Sequence, residues 1–349
     1  MDTTKLDRLI DALVYEGYLL YPYRPAIKNQ VRWTFGGVYP RSWSEAEPGR
    51  DRWRTRANLL HDGVPAVLEI QVRFLQIVDR VIAVQAGDDW DVVPCLTVDD
   101  TQYHSWQECR ERRVELSLNL RNVLAQKLSH RFAFSADESR KEILALNGQT
   151  AGMLIRRQVA VRGRIEILAS PVGENASLIE ISVANETEMP ASAEAPQQSA
   201  VSASAADRAA ASSRALAATH AVVRTCGGQF VSSIDPSPEY RAVIDSHPSD
   251  GLWPVLVGPD EARDTMLCSP IILYDYPQIA EESHGDFFDA TEIDEMLTLR
   301  VLTLSDDEKR QVAAFDERGQ ALLNRTRALA ERQLATLHGV TRQLGSGES

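Results

Sequence analysis

Cysteine is scarce and badly spaced for chemistry. Four residues in 349 (Cys95, Cys109, Cys226 and Cys268) form no C-x-x-C pair and no Cys/His cluster of zinc spacing. A disulfide framework is not expected in a chain of this size, and buried free thiols are the reading that remains. There is no run of eighteen apolar residues, which removes a membrane-spanning helix. The first residues form an acid-bearing amphipathic segment with no apolar core of signal-peptide type, so a cytoplasmic location is expected. No G-x-G-x-x-G, Walker loop or nucleophile elbow occurs, and no βαβ rhythm supports a dinucleotide-binding fold; no cofactor is expected.

Positive charge is also scarce, but only in the second half. Residues 1–184 carry 24 basic and 24 acidic side chains, whereas 185–349 carry 13 basic against 26 acidic, the whole of the net charge of −13. Such a surface repels phosphate, which disfavours wrapping nucleic acid and favours a basic or mixed-charge protein partner.

What is present is mostly β pattern. Leu6, Leu9, Ile10 and Leu13 make one helical stripe near the start, ended by Gly17, Pro22 and Pro25. From about residue 56 the period becomes two. Leu68, Ile70, Val72 and Phe74 alternate with polar residues, as do 114–120 and 177–183, with further strands expected at 130–134 and 159–168. The turn at 171–175 suits a hairpin. After the Ala-rich stretch, strands are expected at 219–225 and 229–234, joined as a hairpin by Gly227-Gly228, and at 252–258 and 269–274. The expected fold is α+β and β-rich: antiparallel sheets packed as a sandwich or open barrel, with an N-terminal helix and a long C-terminal helix.

Four regions follow. Residues 1–188 form a β-rich region with its leading helix. Residues 189–218 read as an Ala/Ser-rich flexible linker, since 191–219 hold 13 Ala and 6 Ser and few large apolar side chains. Its second part, 205–219, has the propensity for a helix. Residues 219–304 form a second β region that completes the same sheet or begins another. Residues 305–343 form the C-terminal helix, opened by the capping box Ser305-Asp306-Asp307-Glu308.

Two segments are dense in chemistry-bearing side chains. Residues 15–43 hold 8 of the chain's 23 aromatic residues, with Arg24, Lys28, Arg32 and Arg41 against Glu16 alone. Aromatic faces beside guanidinium groups suit stacking and anion contacts; packing of these rings on the core is the preferred reading, ahead of a protein-binding surface and of a single-strand nucleic-acid platform. The second segment runs from Ser269 through Tyr274-Asp275-Tyr276 into 281–295, which carries seven carboxylates and no Lys or Arg. His284, Asp286, Asp289 and Asp294 are its candidate metal ligands, although the spacing is not that of an EF-hand and a solvated acidic loop is the simpler reading.

The residues Tyr15-Glu16-Gly17-Tyr18-Leu19-Leu20-Tyr21-Pro22-Tyr23-Arg24 and Arg32-Trp33-Thr34-Phe35-Gly36-Gly37-Val38-Tyr39-Pro40, with 269–277 and 291–304, resemble a bacterial protein family without assigned activity, encoded beside nickel–iron hydrogenase structural and maturation genes. The resemblance implies an accessory role in hydrogenase assembly or maturation. The expected function is therefore that of a non-catalytic scaffold or chaperone-like protein with a hydrogenase subunit or maturation factor as partner. Charge and hydropathy add the expectation of no nucleic acid and no membrane. It supplies no catalytic residue. The surface expected to meet that partner comprises Tyr21, Arg24, Lys28, Arg32, Trp33, Tyr274, Asp275 and Tyr276. A metal-dependent hydrolase using 281–295 is the alternative, and single-strand nucleic-acid binding through 15–43 the second.

Overall fold

The computed structural model describes residues 7, 9–11, 13–14, 36–46, 48–49, 51–64, 67–190, 205–259 and 261–277. The C-terminal helix expected at 305–343 lies outside the described residues. Those near the start that are described are helical, in keeping with the apolar stripe at Leu9, Ile10 and Leu13.

The chain is dominated by antiparallel β-structure. Strands β1 (Arg54–Asp62), β7 (Leu128–Phe134), β10 (Val161–Val172), β11 (Ala176–Asn185) and β13 (Gln229–Val231) form a five-stranded sheet in the order β13-β1-β11-β10-β7. The second, eight-stranded sheet is organised on β2 (Val67–Ala86). One edge of β2 pairs first with β12 (Ala217–Cys226), then with β9 (Thr150–Gln158). Its other edge pairs with β6 (Trp106–Asn119), then with β3 (Asp89–Val93). Beyond β12 lie β15 (Thr265–Ser269) and β14 (Trp253–Leu256), and beyond β9 lies β8 (Asp137–Leu144). A two-stranded ribbon, β4 (Cys95–Val98) with β5 (Thr101–His104), completes the sheets.

Strands from beyond the Ala-rich stretch therefore enter both sheets. Of that stretch, 191–204 lie outside the described residues, while 205–218 carry the helix Ala205–Ser212, the buried side chains of Ala211, Ala215 and Leu216, and the start of β12. Ala-rich chain has little apolar surface of its own, but its small side chains let backbone approach backbone. Val38 and Leu216 exchange both N–H···O bonds, at 3.0 and 2.9 Å.

The alternation seen in sequence has the expected cause. Leu68, Ile70, Val72 and Phe74 enter one core with Ala57, Leu59, Ile165, Ile167, Ile179, Ile181 and Val183 of the five-stranded sheet. The turn at 171–175 is a hairpin, with Val172 paired to Ala176. Two expectations are overturned. Gly227-Gly228 does not close a hairpin, because β12 stays in the eight-stranded sheet while β13 pairs with β1 in the other. The glycines carry the chain between sheets past His61, whose Nε2 lies 2.9 Å from the Gly227 carbonyl oxygen. The strand expected at 269–274 instead ends at Ser269, because Pro270 has no N–H to continue the ladder.

The outer face of β2 is fastened by charge. Arg73 is fully buried, and its guanidinium pairs with Asp11 of the N-terminal helical segment and with Glu111 of β6 at 2.7 Å. Ile10 and Val14 of the same segment are buried against Leu75, Ile77, Val255 and Leu267. Burial pushes the Glu111 carboxyl up, but hydrogen bonds from Arg113 and Arg73 and their charges outweigh it and hold the pKa below the usual range.

Removing one partner from a buried pair leaves the other uncompensated, a loss of about 3–5 kcal/mol. Glu111→Gln should therefore lower the urea midpoint strongly at pH 7. A depressed carboxylate pKa stabilises the fold above the unfolded value and loses that contribution as pH falls through the folded value. The gap between wild type and Glu111→Gln should thus shrink below about pH 4.5. A gap that stays constant down to pH 3 would show that Glu111 does not act through its charge.

Candidate binding cleft at the sheet corner

β7 and β8 are separated only by Ser135 and Ala136, and β9 and β10 only by Val159 and Ala160. Phe134 pairs with Val161 in one sheet, and Asp137 pairs with Gln158 in the other. A single antiparallel hairpin thus bends from one sheet into the next, with both strands turning at the same level. Bending releases backbone carbonyls from the ladder, and buried carbonyls need replacement donors. Two buried glutamines supply them: Gln76 Nε2 donates to the Val159 carbonyl at 2.7 Å, and Gln158 Nε2 to the Ser135 carbonyl at 3.2 Å. Gln76 is itself held by Arg112, whose Nε donates to Gln76 Oε1 at 2.7 Å and whose guanidinium lies 4.7 Å above the Phe134 ring.

Against this corner opens a cleft of about 640 Å³, lined by 136–138, 157–160, Arg162, Thr187, Glu188 and Arg214. Its volume falls within the range of small-molecule and peptide sites. Buried Asn185, at the end of β11, joins its walls. Asn185 Nδ2 donates to the carbonyls of Val38 and Arg214, each at 2.8 Å, and Oδ1 accepts the Thr187 N–H at 2.8 Å. Thr187 Oγ1 in turn accepts the Arg162 N–H at 2.9 Å. The backbone beneath both arginines is therefore fixed.

The charges of the lining are unequally engaged. Arg157 pairs with Glu138 at 2.7 Å, and Asp137 lies 3.6 Å from Arg110. Hydrogen bonds from Arg140 and Arg157 hold the Glu138 carboxyl below the usual range. Arg214 Nη1 donates to the Ala210 carbonyl at 2.9 Å. Among the described residues, no carboxylate pairs with Arg162 or Arg214, and no cation pairs with Glu188. Gln158 Oε1 is buried without a hydrogen-bond partner. The arrangement offers guanidinium donors and the Glu188 carboxylate, which is recognition chemistry.

A second polar group lies on the outer face of the eight-stranded sheet. Cross-strand register sets Arg113, Arg73, His220, Ser269 and Trp253 in one row over five strands. His220 Nδ1 lies 2.8 Å from the Ala218 carbonyl, which can only accept, so Nδ1 carries the proton and Nε2 accepts from Ser269 Oγ at 3.2 Å. A serine beside an oriented imidazole has the elements of a nucleophile and its base. Both side chains are fully buried, and burial lowers the His220 pKa to about 4, too weak a base for neutral pH. Neighbouring Cys268, also buried, is pushed up to about 12 and is inert as a nucleophile.

The described lining of the cleft includes none of the residues singled out from sequence. Tyr21, Arg24, Lys28, Arg32 and Trp33 lie outside the described residues, as do His284, Asp286, Asp289 and Asp294. Among the described residues, no group of three His, Cys, Asp or Glu is placed to hold a metal ion, and no helix is long and apolar enough to cross a membrane. The trio 274–276 divides. Tyr274 is 84% exposed, whereas Asp275 accepts from the Leu256 N–H at 2.8 Å and from Ser232 Oγ. Tyr276 N–H donates to the Leu256 carbonyl at 2.7 Å, and its hydroxyl to the Ala262 carbonyl at 3.0 Å. Asp275 and Tyr276 thus fasten the chain to β14. The two dense segments touch where they are described: Gly36 has φ +58°, and a Cβ placed there would come within 2.2 Å of Pro270 Cβ.

The cleft residues were missed from sequence, although a signal existed. Residues 156–164 read Arg-Arg-Gln-Val-Ala-Val-Arg-Gly-Arg, a basic run with a small-residue break where the corner forms. A scan against protein-family models gives no match to the chain, and a search of curated proteins gives none either.

The buried histidine makes a pH prediction. A folded pKa below the unfolded value of 6.5 means that stability is complete above pH 6.5 and falls as the pH drops towards 4. The expected slope in that window is at most about 1.4 kcal/mol per pH unit. His220→Gln, at whatever cost at pH 7, should flatten urea-unfolding stability between pH 6.5 and 4.5. An unchanged slope would show that His220 is protonated in the fold or that other groups set the dependence.

Proposed function

We propose that the protein is a non-catalytic accessory protein, a scaffold or chaperone-like β protein that holds a polypeptide partner. The observation that carries this reading is the preformed corner cleft, whose free groups are hydrogen-bonding and charged and whose backbone is braced by Asn185 and Thr187. A braced backbone carrying guanidinium groups without carboxylate partners favours binding, since little backbone ordering is left for the ligand to bring about. In architecture we read the scaffold as a sandwich: the two large sheets share one core and are joined at a corner by the bent hairpin. The narrower proposal, that the partner is a subunit or maturation factor of a nickel–iron hydrogenase, rests on the sequence resemblance of the two dense segments.

Site-specific photo-crosslinking at native expression tests both levels. A benzophenone side chain at Ala160, on the cleft wall, should give a discrete adduct with one polypeptide, and one at Glu174, on the distant β10–β11 turn, should not. No adduct at Ala160, or the same adduct from both positions, would remove the scaffold reading. Identification of the adduct as a hydrogenase polypeptide, with hydrogenase activity lost in a deletion strain, would support the narrower proposal. Normal activity in that strain would end it.

A further inference from the structure

We propose that the corner cleft recognises carboxylate side chains on an extended, acidic polypeptide segment, an inference that rests on the scaffold reading and names its ligand chemistry. The starting point is which lining groups remain uncommitted. Asp137 and Glu138 are engaged by arginines, and Arg157 is engaged by Glu138. Among the described residues, that leaves without an ion-pair partner the guanidinium groups of Arg162 and Arg214, the latter bonded only to the Ala210 carbonyl, and the carboxylate of Glu188.

Two guanidinium groups with no carboxylate partner call for anions, and their planar fork matches a carboxylate or a phosphate. Glu188 and the charge of the lining choose between these. The lining holds Arg157, Arg162 and Arg214 against Asp137, Glu138 and Glu188, so its formal charge cancels. A phosphate carries close to two charges, and in a neutral lining it would face the Glu188 carboxylate. A peptide segment carries one charge per acidic side chain, spaced along a backbone whose N–H groups can satisfy Glu188. Residues two apart on a strand project to one side at about 7 Å, so alternate acids present a row of carboxylates. The guanidinium groups sit on a wall already fixed by Asn185 and Thr187, which lowers the ordering cost of binding.

The full-length protein can be titrated against a fluorescein-labelled, capped octapeptide of alternating Glu and Ser, followed by anisotropy. Saturable binding is expected, with none to the matching Gln–Ser peptide. Arg162→Ala and Arg214→Ala should each weaken binding about tenfold, the loss of one charge-assisted pair. Arg162→Lys should recover part of the loss, because it keeps the charge but not the fork. Arg241→Ala, on the surface helix Pro238–Ser246, should bind as wild type. Arg214 also bonds the Ala210 carbonyl, so its variant is read beside the urea midpoint; Arg162 is exposed and carries the decision if Arg214→Ala is unfolded. Equal binding of the Gln–Ser peptide, or an unchanged affinity in Arg162→Ala, overturns the proposal. Displacement of the peptide by equimolar inorganic phosphate or glutarate assigns the cleft to free anions and overturns it too. A discrete adduct at Ala160 without Glu–Ser binding would leave the scaffold reading in place and remove only the acidic chemistry.

Discussion

The eight-stranded sheet is hung on the backbone of β2, and the five-stranded sheet packs on its apolar face. The twenty residues of β2 pair on both edges, with β12 then β9 on one side and β6 then β3 on the other. Because side chains alternate along a strand, a slip of one residue would turn Phe74 outward and drive Arg73 into the main core. The buried Arg73 pairs are therefore better understood as a register lock than as a source of stability. Desolvating a guanidinium costs several kcal/mol, which its two carboxylates offset only in the correct alignment. The same alignment places His220 and Ser269 in the row beside it.

The cleft inherits its geometry from this register. Gln76 belongs to β2, and its amide replaces the ladder donor that the Val159 carbonyl loses at the bend. Asn185, three hydrogen bonds deep, ties the end of β11 to Val38 and Arg214, segments far away in sequence. A cleft assembled from a strand corner, a strand end and the chain beyond a short helix needs such braces. Without them the arginines would keep their charge but lose their relative placement.

Sequence disclosed the strands that have one buried and one polar face. Leu68 to Phe74 shows the period of two because its other face carries Glu69, Gln71 and Arg73. In 177–183, Ile179, Ile181 and Val183 meet the main core, while the other face holds Glu180 and Ser182, polar although largely buried. The signal vanishes where that condition fails. Beyond Phe74, Leu75, Ile77 and Val78 are buried on both faces of β2, and β8, which reads Asp-Glu-Ser-Arg-Lys-Glu-Ile-Leu, is almost wholly exposed. Gly227-Gly228 has hairpin chemistry, but which sheet receives β13 is decided by pairing with β1, a contact that local sequence does not encode. The cleft was illegible for a related reason. Arg162, Glu188 and Arg214 are apart in sequence, and whether each is free depends on partners supplied by other strands. Asp275 illustrates the converse: dense local chemistry drew notice, and the structure spends it on holding β14.

The strand order also imposes a schedule on synthesis. β2 leaves the ribosome long before β12, the neighbour that covers its first half, and at 5–20 residues per second that interval is on the order of ten seconds. During it, the nascent chain displays an unpaired edge rich in Val, Ile, Leu and Phe, the kind of edge most prone to intermolecular pairing. Until β12 arrives, that edge is kept from other chains only by dilution or by being held.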